Sequence, residues 1–170
     1  MTTLSSPLSL ELIMPVNTKT CLRRKIEYTS LDELVADAER LVAADAPTTG
    51  NWSKGQILDH VASVMEMTID GFPMNVNWFV RFISRNVMFE RFLKNGMPSG
   101  FKPSKSVAQK IMPKETDVLP ALAHLRTAVE RLKQLDHHVD HAFFGDLTAD
   151  QARAINRRHA ELHMSFIAES

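Results

Sequence analysis

The chain has 170 residues, the length of one domain, and balances 20 lysines and arginines against 20 aspartates and glutamates, so no whole-chain field draws it to nucleic acid or an anionic membrane. Its single cysteine, Cys21, excludes an internal disulfide framework and fits a reducing compartment. The apolar stretch Leu8 to Met14 is broken by Glu11 and lacks a basic flank and cleavage site, and no run reaches the roughly 18 apolar residues of a membrane span, so a cytoplasmic product is expected, with residues 1–20 as a tail.

In chain order, Lys25 to Tyr28 reads as a short extended lead-in. Ser30-Leu-Asp-Glu33 is then the first of three capping-box signatures, in which a hydroxyl accepts from the backbone three residues on and the acid or amide reaches back. It opens an apolar run through Leu31, Leu34, Ala38 and Leu41 that ends before Ala46-Pro47 and the turn at Thr48 to Gly50. Ser53-Lys-Gly-Gln56 opens a second helix, expected over about 54–71 and closed by Asp70-Gly-Phe-Pro73. A long insert, residues 76–114, follows; Trp78 to Leu93 reads as an aromatic-rich helix and Gly96 to Pro103 as a loop. A third long helix is expected over about 117–135, with Leu122, Leu125, Val129 and Leu132 inward and Pro120 tolerated in its first turn. Thr148-Ala-Asp-Gln151 starts the fourth. The expected fold is an all-α four-helix bundle over residues 21–170 with a crossover insertion, and no repeat or low-complexity segment interrupts it.

The fourth helix carries the most informative residues. Its inward stripe reads Ala152, Ile155, His159, Leu162, His163, Phe166, so two imidazoles stand one turn apart where leucine or valine would be ordinary. His60 occupies an inward slot of the second helix, among Ile57, Val61, Val64 and Thr68. A lone inward histidine is usually a satisfied core residue, but an i, i+4 pair joined by a third ring from another helix is a set of neutral nitrogen ligands. The pair encloses Ala-Glu-Leu rather than a glutamate at the metalloprotease base position, which argues against that chemistry. His124 can face either way; His137 and His138 sit at a helix end as solvated or capping groups; His141 is a candidate partner for a ligand. Asp59, Glu66 and Asp70 share the His60 helix, but periodicity places none beside a metal, and no general base is assigned.

The insert hides a charge asymmetry. Residues 77–114 hold Arg81, Arg85, Arg91, Lys94, Lys102, Lys105, Lys110 and Lys114 against Glu90 alone, leaving the segment about seven units positive and the remainder about seven negative. Either this is a solvated surface paired with the acidic remainder, or it is a lid whose cations, Arg81 and Arg85 first among them, hold an anionic small molecule.

Taken together, Arg23-Arg24-Lys25 followed by Ser30 to Leu34, the run Gly50 to His60 (GNWSKGQILDH), Asp70 to Pro73, Gly96 to Gly100 and Phe144 to Thr148 leading to His159 and His163 resemble the DinB/YfiT-like superfamily of metal-dependent helical bundles, and within it a bacterial branch of unknown function. The resemblance implies up-down-down-up topology and His60, His159 and His163 as ligands to a divalent ion, commonly zinc or nickel. Characterised relatives use low-molecular-weight thiols such as bacillithiol, mycothiol or glutathione. Leu162 and Phe166 stand where this branch often has histidine and glutamine, so polar groups expected near the last helix are missing. The resulting expectation is a metal-dependent thiol transferase, or a related hydrolase, acting on a small molecule. The alternative is a non-catalytic metal-binding or structural bundle that dimerises through Trp78, Phe79, Phe82, Phe89 and Phe92.

Overall fold

The structure is a computed structural model that describes residues 15–100 and 105–169. The apolar stretch Leu8 to Met14, most of the expected tail and Lys102 of the basic insert lie outside the described residues.

Four long helices share one core: α1 (Leu31–Ala43), α2 (Lys54–Asp70), α6 (Val118–Lys133) and α7 (Ala149–Met164). The insert contributes α3 (Trp78–Ile83), continuing through a π-helical turn (Ser84–Met88) into α4 (Phe89–Asn95), and then α5 (Lys105–Ile111). Helices α6 and α7 each pack against both α1 and α2. The side chains that meet there, including Leu34 and Leu41 of α1, Leu58 and Met65 of α2, Leu125 and Leu132 of α6 and Met164 of α7, are fully buried, each stabilising the fold by roughly 1.5–3 kcal/mol relative to exposure.

Two of the three capping boxes close reciprocally. Ser53 and Gln56, and Thr148 and Gln151, exchange side-chain and backbone hydrogen bonds. At α1 only half forms: Ser30 accepts from the Glu33 N–H, but the Glu33 carboxylate accepts from Thr29 instead, at 2.6 Å from its backbone nitrogen and 2.7 Å from its hydroxyl.

The fold is mostly helical but not purely so. Val139–His141 (β1) and Gly145–Leu147 (β2) form an antiparallel hairpin ahead of α7, turned by Gly145 at φ 69°. Three-residue strands are too short to show a period of two, which is why the pattern gives no warning of them. The C-terminal residues fold back on the α1–α2 connection, where the Thr49 N–H donates to the Phe166 carbonyl (2.8 Å) and the Ala168 N–H to that of Pro47 (2.8 Å). That return clamps the end of α7 beside the start of α2 and so fixes the His159/His163 turn against the His60 helix.

Candidate metal centre

Helix periodicity puts His60 on the α7-facing side of α2, and the i, i+4 spacing puts His159 and His163 on the facing side of α7. One nitrogen from each of the three rings lies within 4.8 Å of the others. The Nε2 atoms of His159 and His163 are 3.0 Å apart. Ligand nitrogens bound to one divalent ion at about 2.0–2.1 Å stand roughly 3–3.4 Å from each other, so this pair already has the separation a shared ion requires.

The His60 tautomer is set by its surroundings. Its Nδ1–H donates to the Ile111 carbonyl at the end of α5 (3.0 Å), which leaves the Nε2 lone pair for the cluster. Trp52, just before the α2 cap, stacks on His163 at 5.1 Å between centroids and meets His60 edge-on at 4.9 Å, walling one side of the cluster. His159 lacks a counterpart to the Ile111 contact: its Nδ1 is buried with no hydrogen-bond partner among the described residues.

Electrostatics keep these rings neutral, the form that ligates. Burial pushes His60 down to about 4, opposed by its bond to Ile111 and by the neighbouring Asp59 charge. Burial, reinforced by the other rings, holds His159 and His163 well below the ordinary imidazole value. His141 is pushed down to about 4 by burial and then by the Arg81 charge. Its Nδ1 accepts from the Phe143 N–H (3.2 Å), placing its proton on Nε2, and its ring lies between Phe72 (4.7 Å) and Phe144 (4.9 Å). His141 makes no hydrogen bond to the three clustered rings.

The carboxylates of α2 serve the opposite neighbour. Asp59 and Glu66 accept from the two nitrogens of His124 on α6, at 2.8 and 3.1 Å, and Asp70 pairs with Arg131 at 2.7 Å. None of the three offers a carboxylate oxygen to the convergence of histidine nitrogens, although the Asp59 charge is felt at His60. His124 is thus turned toward α2, and although burial alone would lower its pKa, the two carboxylate contacts raise it. His137 and His138 are exposed beside Asp136 and Asp146.

Three features have no counterpart in the sequence reading. Trp52 carried no signal of its own beyond lying in the run Gly50 to His60. Glu161 is buried in α7, accepting from Arg158 (2.9 Å) and from the Tyr28 N–H (2.9 Å), and so anchors the extended lead-in. Asn156, also buried, donates to Thr68 of α2 (3.1 Å), locking α7 to α2 one turn before His159.

The family match covers the segment that carries all of these residues: residues 21–170 fit the model described as Protein of unknown function (DUF1569). The chain belongs to that family. Among curated proteins and among solved structures none matches the chain. In this DUF1569 member the two arginines expected to bind an anion are placed differently from each other. Arg81 pairs with Asp140 of β1, whereas Arg85 lies over the Phe89 ring, 4.6 Å from its centroid, with one guanidinium nitrogen buried and without a partner among the described residues. Of the aromatic residues expected at an interface, Phe89 and Phe92 instead pack inward against Phe144, while Trp78, Phe79 and Phe82 are exposed.

Proposed function

We propose that this protein is a divalent-metal-dependent enzyme of the thiol-transferase type, with a related hydrolase as the sibling chemistry, built as an up-down-down-up bundle of the DinB/YfiT-like kind. The observation that carries the reading is the convergence of three neutral imidazoles from α2 and α7, with two Nε2 atoms 3.0 Å apart and the His60 lone pair freed by Ile111. Neutral rings whose ring nitrogens converge on one another in a core have little to pair with but each other, whereas an ion between them would use every lone pair.

His60, His159 and His163 would hold zinc or nickel, which with three protein ligands keeps a position open for a thiol or water and lowers its pKa. Trp52 excludes solvent from one side. Arg85, with its unpartnered nitrogen, and Arg81 are the groups that would hold an anionic low-molecular-weight thiol such as bacillithiol, mycothiol or glutathione.

Thermal-shift screening of the metal-loaded protein against these thiols, followed by calorimetry on the one that stabilises it, tests the reading. Arg81→Gln with Arg85→Gln should weaken that thiol by about tenfold or more, most at low salt, with metal content unchanged. Failure of all three thiols to shift the melting of metal-loaded protein would contradict the thiol assignment.

A further inference from the structure

The insert carries an apolar surface that none of the other described residues covers. Across α3 the sequence reads Trp-Phe-Val-Arg-Phe-Ile, and none of these six side chains is buried. Trp78 is 74% exposed, Phe79 57%, Phe82 56% and, one turn on, Val87 60%. Single exposed apolar residues are ordinary, but a contiguous group on one short helix marks a contact surface. The π-helical turn Ser84–Met88 explains where the surface stops. It widens the helical repeat, and beyond it Phe89 faces inward at 1% exposure, packed on Phe144 at 5.3 Å. Inner aromatics thus anchor the segment while outer ones are held toward solvent, with Trp78 and Phe79 edge to face at 5.8 Å.

Charge selects the occupant. Arg91 and Lys94 follow on the same helical segment and are exposed, as are Lys105, Lys110 and Lys114 farther along the insert. Within residues 77–114 Glu90 is the only acidic residue. A two-fold contact between copies would set this cationic segment against itself, and like charges facing across a contact oppose association. Trp and Phe side chains flanked by lysine and arginine match a partner that is apolar beneath an anionic face, which is the construction of an anionic lipid bilayer.

We propose that the outward face of Trp78 to Val87 docks the protein peripherally on an anionic lipid surface. The aromatic side chains enter the boundary between headgroups and acyl chains, and the cations stay at the phosphates. The contact lies on the surface, since no helix among the described residues is long and apolar enough to cross a membrane. The neutral charge of the whole chain conceals this local basic face. Docking does not depend on the metal reading, because the residues that carry it point away from the core.

The experiment is flotation of the full chain with vesicles of phosphatidylcholine alone or with about one-third phosphatidylserine, at about 0.1 M and about 0.5 M salt. Binding is expected to the serine-lipid vesicles only, weaker at high salt, with a blue shift of tryptophan emission as Trp78 leaves water. Phe79→Ser with Phe82→Ser should weaken binding at least about tenfold while leaving the melting temperature unchanged, because both rings are exposed. Arg91→Gln with Lys94→Gln should weaken it by about fivefold per charge, the equivalent of about 1 kcal/mol for each basic residue at an anionic surface. Absence of vesicle binding, or equal binding by the serine variant, would overturn the proposal. So would a dimer in sedimentation equilibrium that the serine variant makes monomeric while vesicles are not bound, which assigns the face to a second copy. Preferential retention of short RNA or DNA over vesicles would also overturn it.

Discussion

Replacing His159 by leucine should change stability in opposite directions with and without metal. In the metal-free protein the substitution removes a buried Nδ1 that has no partner among the described residues and a second nitrogen held 3.0 Å from His163 Nε2. An unpartnered buried polar group costs about 1–3 kcal/mol. Leucine has similar volume and the site is flanked by buried Ile155 and Ala160, so repacking should return less than about 1.5 kcal/mol of that gain. Loss of the hydrogen bond to His163 offsets part of what remains, so the net stabilisation is at most about 2 kcal/mol, or up to roughly 8 °C in melting temperature for a chain of this size. With metal at about a hundredfold excess over its Kd the wild type gains about 2.7 kcal/mol that the variant cannot, and the order reverses. Thermal melts at about pH 8, where unperturbed imidazoles are neutral, read both states after chelation and after adding zinc or nickel. A chelated variant that melts below the chelated wild type would refute the reasoning, since the ring would then be a satisfied core residue.

The depressed histidines make metal-free stability fall in acid. His60 and His141 titrate at about 4 in the folded chain and near 6.5 unfolded, so the unfolded state binds protons first as pH drops from about 6.5 to about 4, costing on the order of 3 kcal/mol for each ring. Urea unfolding across that range should show the decline, and a flat profile would contradict it. His124 acts in the other direction: its raised folded pKa gives stability that is complete below about 6.5 and lost as pH rises through the folded value, so His124→Gln should flatten the neutral-to-alkaline part of the profile, and NMR should show this ring titrating above His60, His141, His159 and His163. Gly55→Ala should destabilise by about 2–3 kcal/mol, because a Cβ there would come within 1.8 Å of the Thr116 carbonyl oxygen and the backbone between α5 and α6 must move; denaturant melts with unchanged midpoint would show the approach to be looser than this.

The long helices were legible in the sequence because each buries a stripe wide enough to set a period, and each opens on a hydroxyl or acid at its N-terminus. Leu34, Ile57, Leu125 and Ile155 all fall on the faces their spacing assigns. The histidine cluster was legible for the same reason: an imidazole in an apolar register has to face what the register faces. Contacts decided by distant chain were not. Ile111 reaches His60 from 51 residues away, and the Trp52 wall depends on how α7 returns to the α1–α2 connection. The hairpin at 139–147 is set by a glycine turn and three paired residues on each side, too few to leave a pattern. Charge spacing likewise showed a basic insert but could not separate Arg81, tied to Asp140, from Arg85 over Phe89. Nor could aromatic content show that a π-helical turn divides Trp78, Phe79 and Phe82 from Phe89 and Phe92.

Metal content tests the central claim most directly. Protein made without a histidine tag and dialysed free of loose ions should carry about one divalent ion per chain by elemental analysis, and His60→Ala, His159→Ala and His163→Ala should each strip it while the chain stays folded. A wild type with no more metal than His159→Ala, or a His159→Ala protein with full metal content, would contradict the three-histidine site.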